Sequence, residues 1–325
     1  MIKILIMSVF SAIFQIFLIL SPTPSSAIDT EIPSWTAEVV AAQRALGAYE
    51  EDVKVRNPDY LAEKFVSPIY WHNSPLELDD MRKKRSWRLR TYLDVGYYFM
   101  TARTKHFDAI LKEEGVKEIR QVVNLGVGYD TRAYRYHDAM PNVKYFELDT
   151  KATIDRKKEI VAKIFGALPS YVVYIAIDFD KQSLEDALLK AGYDKTQKTL
   201  FIWEGVTMYL TKEAVDGTLK FIAEQSTPGS SVVFDYCLKS VIEGDYSAYL
   251  SGPVAKLFAN HGEPFVYGID PKKIRDFLKD RKLELISDIG PEEMEKMYLI
   301  RSDGAVYGKM SGYERITHAV ITKKQ

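Results

Sequence analysis

The 325-residue chain has a single cysteine, Cys237, so it closes no internal disulfide and builds no cysteine-based metal cluster. Histidine is scarce as well. The five (His72, His106, His137, His261 and His318) include no pair at metal-ligand spacing, and no metal site is expected. An excess of charge of one sign is also missing, with 44 Lys+Arg against 45 Asp+Glu, which excludes a protein built to coat nucleic acid. Repeats and low-complexity tracts are absent from the sequence. What remains is ordinary globular composition, 46% hydrophobic and 27% charged, which excludes disorder and leaves ample material for a core.

One long apolar run, Ile4 to Leu20, follows Lys3 and precedes the small and proline-containing residues Ser21 to Ala27. A basic start, an apolar stretch and a small-residue site form the order of a secretory signal, with cleavage after Ala27 and small residues at Ser25 and Ala27. Uncleaved, the same run is an anchor at the lower length limit for a bilayer. The expectation is a signal peptide or N-terminal anchor over residues 1–27 and one domain over residues 28–325. Such a chain is exported or membrane-anchored, touching the membrane only through that segment, and stays cytoplasmic where the segment is not used.

In the body, Val39, Ala42, Leu46 and Tyr49 recur near helical spacing and predict a helix over 35–49. The basic stretch Met81–Arg90 reads as a solvated helix face, and a further helix is expected over 91–114. From residue 119 the pattern alternates. Apolar strands are expected at 119–125, 143–148, 171–177, 199–203 and 231–236, with helices at 152–165, 182–191 and 211–225. Continuous apolar strands between amphipathic helices mean a parallel sheet covered on both faces, here a doubly wound α/β fold. Residues 238–270 break the rhythm with Gly, Pro and aromatics and read as a lid-like insertion after the fifth strand. Helices at 271–279 and 291–298 and strands at 283–286 and 316–321 complete the chain.

Ligands of such sheets lie outside the carboxyl ends of the strands. The first strand ends in Asn124-Leu125-Gly126-Val127-Gly128-Tyr129-Asp130-Thr131, where two glycines permit close approach of a ligand. Glu147 and Asp149 end the second strand, with Asp149 placed 23 residues after Gly126, where an acid can accept both hydroxyls of a ribose. Asp178 ends the third, and Glu204 follows the buried-type run Phe201-Ile202-Trp203, where a carboxylate needs a partner. Each has a plain use as a turn or cap residue, but together they trace an adenosine site. A dinucleotide fingerprint wants a third glycine where this chain has Thr131, and Asp130 is a poor neighbour for pyrophosphate. S-adenosylmethionine carries a sulfonium and no phosphate, so the turn favours a methyltransferase.

Val123–Arg132, Tyr145–Asp149, Trp203–Thr211 and Ala102–Asp108, with Arg44 in Ala41–Ala45, resemble the leucine carboxyl methyltransferase family. The resemblance points to its bacterial branch of S-adenosylmethionine-dependent O-methyltransferases and runs from about Val39 to Thr322. It implies a Rossmann-like class I methyltransferase sheet preceded by N-terminal helices. By resemblance, Arg103 and Arg44 pair with the methionine carboxylate of the cofactor, and Glu204 holds its amino group. Gly126, with Gly128 beside it, lies against the methionyl and ribose part, Asp149 holds the ribose with Glu147 nearby, and Asp178 and Phe179 face adenine.

The expected reaction is in-line methyl transfer to an oxygen of a small-molecule or peptide acceptor. A carboxylate, the first choice, needs no base; a hydroxyl does, and His106, His137 and His261 are its unranked candidates. Tyr209 lines the transfer region or packs, and Arg132 and Arg135 hold an anionic acceptor or decorate a helix. Two other readings stay open: an NAD(P)-dependent oxidoreductase on the same kind of sheet, and a non-catalytic S-adenosylmethionine-binding protein.

Overall fold

The computed structural model describes residues 33–67, 96–178, 182–260 and 263–322. Among the described residues α1 (Trp35–Ala48), a 3-10 turn (Ala62–Phe65) and α2 (Tyr97–Val116) come first. Ser34 starts α1 by accepting the Ala37 N–H at 3.2 Å, which satisfies one of the unpaired amides of the first turn. Then follow β1 (Gln121–Leu125), the short α3 (Arg132–Arg135), β2 (Lys144–Asp149), α4 (Lys151–Phe165), β3 (Val172–Ala176), α5 (Leu184–Lys190), β4 (Thr199–Trp203), α6 (Lys212–Glu224) and β5 (Ser231–Cys237). The insertion holds α7 (Lys239–Ile242) and α8 (Ser251–Asn260), and the chain closes with α9 (Ile274–Lys279), β6 (Leu283–Ile289), α10 (Pro291–Tyr298) and β7 (Glu314–Ile321).

The sheet runs β3-β2-β1-β4-β5-β7-β6. Its first five strands are parallel, while β7 is antiparallel to both β5 and β6. Strand order reverses between β1 and β4, the switch point where a doubly wound sheet opens a crevice. β1, β4 and β5 are buried along their whole length, as their largely apolar sequences require. Phe99, Phe107 and Leu111 of α2 pack with Val122 and Ile316 on one face, and Leu219, Ile222 and Leu278 pack with Phe146 and Phe201 on the other.

Differences from the sequence reading are local. Residues 81–95, which hold the basic stretch and the expected start of α2, lie outside the described residues. The helix expected over 271–279 is a 3-10 turn, Pro271–Lys273, followed by α9, because the Asp270 side chain accepts the Lys272 N–H and tightens the entry. Membrane attachment is corrected. About 20 apolar residues are needed to span a bilayer, and among the described residues no helix is long and apolar enough to cross a membrane. The expected export or anchoring is therefore not carried forward; residues 1–27, with the cleavage site at Ala27, lie outside the described residues.

Candidate active site

The turn after β1 sits at the switch point and is pinned from two sides. Val127 N–H donates to the Leu148 carbonyl at 2.8 Å, and Asp130 N–H donates to the Val127 carbonyl at 2.9 Å. Gly126 has φ +68, and a Cβ there would stand 2.5 Å from Cγ2 of Val206, so both backbone and space demand glycine. Asp149, at the end of β2, accepts the Gly128 N–H at 2.7 Å with one oxygen and the Thr150 N–H at 2.7 Å with the other. Burial raises its pKa above the usual value, and these amides pull the other way. One carboxylate thus couples the glycine turn to the second strand.

Opposite that turn lies a buried cluster of charge. Arg103 of α2 places Nε 2.9 Å from Glu204 Oε1 and Nη1 2.9 Å from Asp235 Oδ2. The Nε–Glu204 approach is close but misaligned, since Nε makes no hydrogen bond. Gly205 N–H donates to the other Asp235 oxygen at 2.7 Å, and this fixes Asp235 inside β5. Burial disfavours the Arg103 charge, but Glu204, Asp235 and Glu314 more than compensate, and its pKa is raised. Arg132 of α3 reaches Asp108 at 2.7 Å and Glu204 at 2.6 Å, and also pairs with Asp130. Asn124 of β1 donates to Asp130 at 2.9 Å. The network continues through Arg135, 2.7 Å from Asp108, to Asp59, whose carboxylate takes the Thr131 hydroxyl at 2.6 Å.

Arg103, Gly126 and Glu204 come together here: a Cβ on Gly205 would stand 3.3 Å from Arg103 Nη1, and Val206 next to it packs on Gly126. Gly128 and Asp149 adjoin them through the turn. Arg44 does not join. Its guanidinium is spent on Asp59 at 2.9 Å and on the Tyr129 carbonyl at 2.7 Å. Glu147 is buried against Lys157 at 2.9 Å and takes the Tyr134 hydroxyl at 3.2 Å, a structural ion pair beneath the site. The Asp178 N–H donates to Gln182 at 2.8 Å just past β3, and Phe179 lies outside the described residues.

Tyr209 ends a 3-10 turn, Thr207–Tyr209, and its ring lies 5.7 Å from Phe265 and 6.3 Å from Phe258 of the insertion. His106 Nδ1 is bonded to the Tyr298 hydroxyl at 2.9 Å and His137 stacks on Tyr171 at 3.5 Å, while His106 Nε2 and His137 Nδ1 are buried without a hydrogen-bond partner, and His261 lies outside the described residues. Asp235, Glu314, Asp108 and Asp59 escaped the sequence reading. For Asp235 the signal was present, since a carboxylate inside an apolar strand needs a buried partner.

The sequence profile of the leucine carboxyl methyltransferase family matches residues 37–223. A Streptomyces coelicolor protein is 32% identical over 227 residues, spanning 69% of this chain and 76% of its own. One from Bacillus subtilis is 27% identical over 224 residues, spanning 69% of this chain and 72% of its own. Both carry the name S-adenosyl-L-methionine-dependent methyltransferase, as a provisional assignment in each case. A crystal structure of a duf574 family protein from Streptomyces avermitilis shares the fold, with TM-score 0.51 at 16% identity over 90% of this chain and 99% of that one. With the profile match spanning more than half of the chain, from α1 through β4 to α6, the chain belongs to the leucine carboxyl methyltransferase family, and it is an S-adenosylmethionine-dependent methyltransferase.

Proposed function

We propose that this chain methylates an oxygen of a small-molecule or peptide acceptor, with S-adenosylmethionine lying across the carboxyl ends of β1, β2 and β4. The observation that carries the reading is the meeting of Arg103 and Glu204 beside the Gly126 turn. A zwitterionic methionyl group wants one cation and one anion, and Arg103 and Glu204 are that pair. Asp149 serves the ribose hydroxyls, the backbone of Gly126 and Gly128 allows close approach, and Asp178 serves adenine. Arg44 is left out, because Asp59 and the Tyr129 carbonyl engage it.

The bound sulfonium supplies an electrophilic methyl. The protein's part is alignment and exclusion of water. Helix α1 serves the second task. It packs against the turn, where a Cβ on Gly128 would stand 3.1 Å from the Ala37 Cβ, and it reaches the insertion through the Thr36 hydroxyl, 3.4 Å from Glu263.

Calorimetric titration with S-adenosylhomocysteine, alongside NAD and NADP, tests the reading on the wild type, Asp149→Ala and Glu204→Ala. Binding of S-adenosylhomocysteine that both variants lose is the expected result. Binding of a dinucleotide alone, by folded protein, overturns it in favour of the oxidoreductase.

A further inference from the structure

Arg103 reaches the charge cluster on a long side chain, and a free arginine has much rotamer freedom to lose when it grips an anion. Here that freedom is already gone. The residue is 4% exposed, and its guanidinium lies 5.2 Å over the Phe99 ring. Its two edges are used unequally. Nη1 donates to Asp235 Oδ2 at 2.9 Å, a charged bond. Nη2 donates to the Met100 sulfur at 3.0 Å, and a thioether is a weak acceptor. Nε stands 2.9 Å from Glu204 Oε1 yet makes no hydrogen bond. The Nε and Nη2 protons lie along one edge of the planar group, an edge that takes a carboxylate with two parallel bonds. Asp235 therefore occupies Nη1 and leaves the Nε–Nη2 edge without a strong acceptor.

Asp235 is itself rigidly held. It sits in β5, fully buried, where the strand pairs with β7 on one side and follows the β4 ladder on the other. Its Oδ1 takes the Gly205 N–H at 2.7 Å, and its carbonyl takes the Thr207 hydroxyl. Both donors belong to the turn that begins at Glu204. One acid thus fixes Arg103 directly and the Glu204 turn through the next amide. Burial raises the Asp235 pKa, and Arg103 is the main influence against that, so the two depend on each other.

We propose that Asp235 is a positioning residue for the cofactor: it holds Nη1 of Arg103 so that the Nε–Nη2 edge meets the methionyl carboxylate side-on, and it sets the turn from which Glu204 takes the amino group. The proposal rests on the S-adenosylmethionine reading above. Binding then trades little. Nη2 exchanges a sulfur for a carboxylate oxygen, and Nε gains a hydrogen bond it lacks. The methionyl zwitterion adds no net charge to the cluster. Because the arginine is ordered on folding rather than on binding, Asp235 strengthens affinity without touching the ligand.

The test is calorimetric titration of the full chain with two ligands, S-adenosylhomocysteine and its decarboxylated analogue, the aminopropyl thioether of 5′-deoxyadenosine. The analogue keeps adenosine, sulfur and amino group and lacks only the carboxylate. The wild type should bind S-adenosylhomocysteine at least about tenfold more tightly than the analogue. Asp235→Asn keeps an acceptor for the Gly205 amide but offers Arg103 an N–H in place of an anion. It should lose about tenfold for S-adenosylhomocysteine and bind the analogue within about twofold of the wild type. Equal losses on both ligands, which a merely structural role would give, overturn the proposal, as does unchanged or tighter binding of S-adenosylhomocysteine. Arg103→Lys keeps a charge beside Asp235 and guards against a folding failure of Asp235→Asn. A single ammonium held by Asp235 has no second edge to offer, so this variant should bind both ligands alike, and a preference kept at the wild-type level overturns the proposal. A wild type that binds both ligands alike would overturn the pairing of Arg103 with the carboxylate, and this proposal with it. Binding of neither would instead overturn the cofactor reading.

Discussion

Arg132 Nη1 lies 2.6 Å from Glu204 Oε2, joining residues 72 positions apart in the chain. The other Glu204 oxygen stands 2.9 Å from Arg103, so one carboxylate ties α2, α3 and the end of β4 together. Burial disfavours the Arg132 charge, but Asp130, Glu204 and Asp108 outweigh it and hold it well above its usual pKa. Arg132→Met takes from Asp130 its ion-pair partner and from Glu204 and Asp108 one of two, leaving them Arg103 and Arg135, and should cost about 3–5 kcal/mol, read from the midpoint of urea unfolding. Arg132→Lys restores charge but not the planar fork and should recover less than half of that loss.

At Gly126 the expected penalty has two separable parts. A left-handed backbone costs an alanine about 1–2 kcal/mol, and the overlap with Val206 adds an overpacking cost of about 1–3 kcal/mol. Gly126→Ala should show both, together with weakened S-adenosylhomocysteine binding. Adding Val206→Ala should return only the overpacking part, because φ +68 remains. Denaturant melts of the single and double variants check this.

Lys157 is fully buried, and its ion pair with Glu147 spans 2.9 Å. Burial raises the Glu147 pKa and Lys157 opposes that. Lys157→Met leaves an uncompensated buried acid and should cost about 3–5 kcal/mol at neutral pH. Glu147→Gln in the same protein should recover most of it, since replacing both charges is far milder than replacing one. A double-mutant cycle in urea measures the coupling.

His106 and His318 are both buried, and burial holds both neutral. Burial pushes each down to about 4, with His318 adding to the effect on His106 and Lys117 to that on His318. The unfolded chain takes up these protons near pH 6.5, which the fold refuses until about pH 4. Stability should therefore fall as pH drops from about 6.5 to about 4, by roughly 3 kcal/mol for each imidazole, and this contribution should level off below that. Thermal melts across that range check it, and His318→Gln should flatten the slope.

Much of the framework was legible because the parallel strands are short, predominantly apolar runs. Thr199–Trp203 is the clearest case, closing on Glu204 at the boundary read from sequence. Asp149 and Glu204 stood out in the sequence because carboxylates at strand ends that follow apolar residues have few places to go. What could not be read is pairing. Arg44 and Arg103 look alike as basic residues in helices, yet one serves Asp59 and the other Glu204, a distinction made only by tertiary geometry. Glu314 was passed over because β7 was expected to begin at Ile316, so Glu314 and Arg315 read as a polar approach to a strand. Antiparallel entry of β7 between β5 and β6 carries no local signature, and that entry brings Glu314 beside Asp235.

The position of β7 also bears on how the molecule is born. Among the described residues β6 pairs only with β7, and the outer side of β5 is closed by β7 as well. During synthesis, five parallel strands can assemble while β6 waits, made but unpaired, for residues 314–321 to leave the ribosome. A nascent chain stalled before that point presents two open strand edges to its neighbours, so translation pauses late in this message are the dangerous ones for aggregation.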